Sequence, residues 1–247
     1  MAKKSSVTRW RRVFVAAVMA LAFSAYLYFN PSAYQDAQLI SLNPSEIALK
    51  ETQTTTDSRL AIEVLENLAV KEKDTSARYY RKLFYDSWSL TADGCNLREA
   101  ILKRDLQNVK LNGCKVQSGL LHDPYTGTDI NFVRGQDTSA AVQIDHVVAL
   151  SNAWATGAFA FDQDTRYAIS QDPLNLIAVD GPANQDKLDQ DVSTWLPPNQ
   201  AFRCQYVARQ ISIKYKYHLW VTPAEKAVML EVLSLCPNEP TLGLDSQ

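Results

Sequence analysis

Histidine is scarce in this chain. Three occur, His122, His146 and His218, so any imidazole chemistry must rest on one of them. No acidic residue precedes Asp36. No two cysteines stand at C-x-x-C spacing, which argues against a structural zinc site. No internal repeat is visible, which argues against a repeat architecture. Basic residues are unevenly placed, since Lys3, Lys4, Arg9, Arg11 and Arg12 all precede Phe14. The remaining chain holds 20 of the 25 basic residues against all 27 acidic ones, a formal charge of −7. That composition is poor for coating DNA non-specifically, because affinity for phosphates comes largely from Lys and Arg. A local basic groove stays compatible with it.

What is present reads as an ordinary globular protein. With 247 residues, 46% hydrophobic and 21% charged, the chain can bury a sizeable core in one large domain or two small ones. The basic flank is followed by 17 residues, Val13 to Phe29, without a charge. A basic region before an apolar run is what a secretory signal needs, and 17 residues also reach the lower limit for spanning a bilayer. Residues 1–30 are therefore expected to be a signal peptide or an uncleaved membrane anchor through 13–29, with the rest extracytoplasmic, secreted or tethered to the cytoplasmic membrane. Residues 31–58, with the Thr-rich "KETQTTTDS", read as a polar linker. Residues 59–240 make the folded domain and 241–247 a tail. Export makes the cysteines informative, since an oxidising compartment favours disulfides. Four cysteines allow three connectivities. Two local pairs, Cys95–Cys114 and Cys204–Cys236, are expected.

From Leu60, "LAIEVLENLAV" places Leu60, Val64, Leu65 and Leu68 on one helical side, and "SARYYRKLFYDSW" continues in that style. "CNLREAILKRDLQNV" reads as a third amphipathic helix. Residues 118–150 change character. The turn-rich "DPYTGTD" leads to "INFVRG" and "AAVQIDHVVAL", strand-like apolar runs with a loop between them. After "DPLNLIAVDGP", Asp180 or Gly181 can cap a helix with Pro182 in its first turn. "AFRCQYVARQISIKYKYHLW" is a long helical stretch, and "TPAE" at 222–225 is a capping box before the last helix. Two strands and a helix flanked by helices define an α+β class.

Within this frame, "QIDHVVALSNAWATGA" sets Asp145 beside His146. Alone, such a pair is a half-buried core histidine with an acid to orient it. Downstream stand Asn175 in "DPLNL" and Asn184 in "GPANQDK". The order His, Asn, Asn on strand, loop and helix resembles the HNH endonuclease motif with its ββα-metal fold. "GLLHDPYTG", "STWLPPN" and "YVARQISIKYKYHLWVTPAEK" extend the likeness over about residues 60–236. Together they resemble exported bacterial HNH proteins related to the C-terminal nuclease domain of GmrSD-type restriction enzymes. The resemblance implies a ββα-metal core inside a mainly helical domain. It implies His146 as general base, Asn175 bracing the loop that holds it, and Asp145 and Asn184 as oxygen ligands of one divalent cation. Oxygen ligation suits Mg²⁺ or Mn²⁺ better than Zn²⁺.

The implied substrate is nucleic acid, DNA first and RNA as the alternative; no protein partner is evident. Adjacent strand residues face opposite ways, so Asp145 and His146 can share a site only at a strand end or bend. Asn184 stands where many HNH enzymes carry His, and Asp180 could add a ligand. Lys187, three residues after Asn184, and Arg209 are candidate phosphate contacts, with Arg203, Lys214 and Lys216 completing a basic stripe. Asp186, Asp189 and Asp191 read as a solvated face, His122 as a loop residue and His218 as a packing residue. A non-catalytic surface module on the same scaffold is the competing reading. A cysteine hydrolase is disfavoured, because paired cysteines leave no free nucleophile.

Overall fold

The structure is a computed structural model and describes residues 59–85, 87–136 and 138–243. The expected export segment, the polar linker and residues 244–247 of the tail lie outside the described residues. Among the described residues, no helix is long and apolar enough to cross a membrane.

Seven α-helices and five strands appear among the described residues. In chain order they are α1 (Ala61–Asn67), α2 (Leu97–Asp105), β1 (Leu106–Asn112), β2 (Lys115–His122), β3 (Asp129–Val133) and β4 (Val142–His146). Then follow α3 (Leu150–Ala155), α4 (Gln163–Gln171), β5 (Leu176–Asp180), α5 (Gly181–Lys187), α6 (Arg203–Lys216) and α7 (Pro223–Ser234). The class is α+β. The strands β1, β2 and β3 form one antiparallel sheet, and β4 and β5 a second.

The small sheet positions everything that follows. Its register pairs Val142 with Asp180 and His146 with Leu176, so β4 ends where β5 begins. Both faces are covered. Ile177 and Val179 enter a core with Val64 and Leu65 of α1, Ile211 of α6 and Met229 of α7. Val142 and Ala178 point the other way, into a core with Leu102, Leu106, Val116 and Phe132. That is why "LIAVD" is apolar throughout rather than alternating. Asp180 then caps α5 through a 2.8 Å bond from the Ala183 N–H, and Pro182 sits in the first turn. Gly181 admits no side chain: a Cβ there would lie 2.2 Å from the Ala140 carbonyl oxygen. Its absence lets α5 fold directly back against the strand before it.

Several expectations change. Among its described residues, "SARYYRKLFYDSW" forms only a 3₁₀ turn, Arg81–Leu83. Its carbonyls are taken by tertiary partners, Ala77 by the Trp154 indole N–H at 2.8 Å and Leu83 by the Arg166 Nε at 3.0 Å. The helix at "CNLREAILKRDLQNV" stops at Asp105, and β1 follows without a loop. β1 and β2 pair across Gly113–Cys114, with Asn112 opposite Lys115 and Gly113 at φ 56°. The run "INFVRG" pairs with β2, not with the strand carrying Asp145. His218 is exposed at φ 53°, ending α6 rather than packing. Asp191 is buried on Lys73 at 2.5 Å and on Ser193, leaving only Asp186 and Asp189 on a solvated face. Thr241, assigned to the tail, is buried, and its N–H donates to the Arg59 carbonyl.

Disulfides join Cys95 to Cys114 and Cys204 to Cys236. The first ties the entry of α2 to the β1–β2 turn; the second ties α6 to the chain two residues past the end of α7. The second closes 32 residues, worth about 3–4 kcal/mol in the chain-entropy view. Cys204→Ser with Cys236→Ser is expected to lower unfolding free energy by that amount, read by denaturant titration against the oxidised parent. A change below about 1 kcal/mol would count against a structural role, given the typical range.

Candidate active site

Asp145 and His146 are the last two residues of β4. They face different surroundings, yet both line one cleft of about 420 Å³ with Asn184, Arg81, Tyr79 and Asp189. The strand end permits this, because beyond His146 the chain leaves β4 for α3.

His146 is almost fully buried, 4% exposed. Its ring stacks on Trp88, centroids 5.8 Å apart and planes 11° apart, and tilts against Tyr85 at 5.8 Å. Nε2 lies 2.9 Å from the Ser170 carbonyl oxygen. A carbonyl only accepts, so Nε2 carries the hydrogen and Nδ1 keeps its lone pair. Burial pushes the imidazole down to about 4, against smaller opposing effects of the Ser170 carbonyl and Asp145. Near pH 7 the ring is a neutral acceptor.

Asn175 is fully buried and works on the chain just after His146. Its Oδ1 accepts from the Val148 N–H at 2.8 Å, and its Nδ2 donates to the Val148 carbonyl at 3.2 Å. Its own carbonyl accepts from the Val147 N–H at 2.8 Å. Thus one side chain and one carbonyl fix two residues that leave β4. Asn175→Ala would strand the buried Val148 N–H, a cost of about 1–3 kcal/mol. Hydrogen exchange at Val148 is expected to speed up accordingly; unchanged protection would show that the loop holds itself.

Asp145 is held by buried donors. Its Oδ2 accepts from the Tyr125 hydroxyl at 2.5 Å and lies 2.9 Å from Lys187 Nζ; its Oδ1 lies 3.1 Å from the same ammonium. Burial, with Asp145 beside it, pushes the Tyr125 phenol well up, so it remains the donor. Lys187 Nζ donates also to the His146 carbonyl at 2.9 Å. Lys187 is completely buried, which corrects its assignment as a phosphate contact. Ala183 and Lys187, four apart, share the inner face of α5, whereas Asn184 lies about 100° around the helix. Asn184 Nδ2 donates to Gln143 Oε1 at 2.9 Å, leaving the opposite end of the amide, Oδ1, without a partner among the described residues.

Arg209 is also misassigned. It does not line the cleft, and its Nη1 donates to the Leu174 carbonyl at 3.0 Å. The basic stripe dissolves with it. Lys214 is buried on Glu225 at 2.9 Å, Lys216 bonds Asp172 at 2.7 Å, and Arg203 bonds the Pro197 carbonyl. Asp180 is occupied as a cap. His122 pairs with Asp129 at the β2–β3 end, away from the cleft.

The cleft suits a hard cation only modestly. Asn184 Oδ1 and a remaining lone pair of Asp145 offer oxygen, and the Asp189 carboxylate lines the same space. The Lys187 ammonium already neutralises Asp145, so most of the coordination would fall to water and phosphate, the habit of Mg²⁺. Among the described residues, the one close group of His, Cys, Asp or Glu ligand atoms is Cys204, Cys236 and Glu239, whose sulfurs are joined in a disulfide.

Sequence reasoning missed Tyr125, Trp88 and Arg81 as parts of this site. "DPYTG" and "ARYYRKLFYDSW" carried no local sign of reaching β4, because their contacts with it are purely tertiary.

Two antiparallel strands followed by a helix carry Asp145 and His146 at the end of β4, Asn175 just before β5 and Asn184 on α5. Residues 70–232 match the family described as GmrSD restriction endonucleases, C-terminal domain, and the chain belongs to that family. A protein of Arthroderma benhamiae described as an uncharacterised secreted protein is 38% identical over 176 residues, covering 70% of this chain and 83% of its own. That relative is fungal, so the likeness does not stop at bacteria.

Proposed function

We propose that the chain is an exported, metal-dependent HNH endonuclease hydrolysing phosphodiester bonds, of DNA first and RNA as the alternative. The observation that carries the reading is the neutral His146 lining the cleft, its Nε2–H committed to Ser170 and its Nδ1 without a partner among the described residues. In the reaction, water attacks phosphorus and loses a proton to Nδ1, and the P–O bond to the leaving oxygen breaks. The backbone bonds of Asn175 hold His146 in place, and the Trp88 ring fixes its plane. Asp145 and Asn184 would hold one Mg²⁺ or Mn²⁺, which supplies Lewis-acid stabilisation to the phosphoryl and leaving oxygens. Family membership supports nucleic acid as the substrate. The relative described as secreted, the two disulfides and the basic-then-apolar N-terminus support export, with 1–30 as signal or anchor and 59–240 as the nuclease unit.

A non-catalytic binding module has one observation in its favour: both oxygens of Asp145 already accept from buried donors. End-labelled DNA and RNA oligonucleotides incubated with Mg²⁺, Mn²⁺ or EDTA separate the two. Metal-dependent cutting supports the enzyme; binding without cutting under every condition supports the module.

A further inference from the structure

With Lys187 buried and Arg209 elsewhere, one cationic side chain lines the cleft among the described residues, Arg81. It comes from the 3₁₀ turn of an aromatic and basic segment, far from the HNH residues in sequence. Arg81 is exposed, so its guanidinium meets solvent and substrate directly. It is nevertheless held. The guanidinium lies over the Tyr85 ring, 5.2 Å from the centroid, and its Nη2 donates to the Tyr85 hydroxyl. Tyr85 in turn packs against His146. Among the described residues Arg81 has no other side-chain hydrogen bond, so its Nε–H and Nη1 hydrogens stay available in one plane in the cleft that His146 also lines.

Resting on the nuclease reading of this cleft, we infer that Arg81 is the residue that grips the scissile phosphodiester, with Tyr85 as its positioning residue. A planar guanidinium with two adjacent N–H directions matches two phosphate oxygens, and stacking on an aromatic ring reduces the freedom lost on binding. The other formal charges lining the cleft are the carboxylates of Asp145, neutralised by Lys187, and Asp189. A dianionic transition state thus has Arg81 as its protein counter-charge. The flanking Arg78 and Lys82 are exposed and extend positive charge along the entering strand.

The test uses Arg81→Ala, Arg81→Lys and Tyr85→Phe in the full exported chain. Two readouts are taken: single-turnover cleavage of a DNA oligonucleotide with Mn²⁺, and anisotropy of the same oligonucleotide bound in EDTA over a salt series. Arg81→Ala is expected to slow cleavage about 10–10²-fold, in line with a lost bidentate contact, and to make the logarithmic salt dependence shallower by about one. Arg81→Lys should restore the salt slope but only part of the rate, because a point charge lacks the fork. Tyr85→Phe should slow cleavage less and leave the salt slope intact. A parent that cuts while folded Arg81→Ala cuts within twofold, with an unchanged slope, overturns the inference alone. A parent that binds without cutting sinks the nuclease reading; the slope of Arg81→Ala then still decides whether Arg81 contacts phosphate. A parent that neither binds nor cuts overturns both.

Discussion

His146→Ala is expected to lower single-turnover cleavage by about 10²–10⁴-fold, the usual worth of a positioned acid–base group, or roughly 3–5 kcal/mol of barrier. Truncation removes an imidazole that burial keeps neutral and whose Nε2–H bond to Ser170 leaves Nδ1 as the acceptor. It leaves Asp145, Lys187 and Tyr125 bonded to one another, so divalent-cation affinity should change little. His146→Ala also opens space against Trp88 and Tyr85, so folding must be checked on the same preparation. Asn175→Ala should fall between parent and His146→Ala in rate, since it loosens the loop without removing the acceptor. A folded His146→Ala protein that cuts within twofold of the parent would return this histidine to the core.

Lys187→Met is expected to lower unfolding free energy by about 3–5 kcal/mol, because it leaves Asp145 a buried charge without its cation. Methionine keeps most of the apolar stem, so the loss reports the ammonium rather than volume. Lys187 is fully buried and its Nζ holds the Asp145 carboxylate and the His146 carbonyl at once, which makes it a tie between α5 and the end of β4. Adding Asp145→Asn to Lys187→Met should recover part of the loss, since the unpaired charge is gone. Denaturant unfolding of the three variants measures this directly. A Lys187→Met protein within about 1 kcal/mol of the parent, the level of an exposed pair, would mean that the lysine is solvated. The same tie warns that Asp145→Ala tests folding as much as metal affinity, for it strands the ammonium.

Local rules made parts of this molecule legible and left others dark. The capping box at Thr222–Glu225 and the Asp180 cap before Pro182 appear as read, because each is chemistry within four residues. The α+β class followed from periodicity. The β1–β2 hairpin was hidden because a helix runs straight into a strand at Asp105–Leu106, although Asn112–Gly113 marked the turn. Spacing put Lys187 near Asn184 on the helix surface, but only the packing of α5 against β4 decides that Lys187 points inward. Charge counting suggested a stripe on α6, whereas Glu225 and Asp172 come from elsewhere in the chain to pair it. Arg81 was invisible for the same reason: a residue more than sixty positions before His146 reaches its cleft through aromatic packing alone.

Metal-dependent phosphodiester hydrolysis driven from His146 is read out on supercoiled plasmid. Parent and His146→Ala proteins, shown to be equally folded, are incubated with Mn²⁺ or Mg²⁺, with and without EDTA. Nicked and then linear plasmid is expected with parent and metal, and intact plasmid with EDTA or with His146→Ala. Plasmid left supercoiled by the folded parent in every metal, or cut equally by His146→Ala, would contradict it.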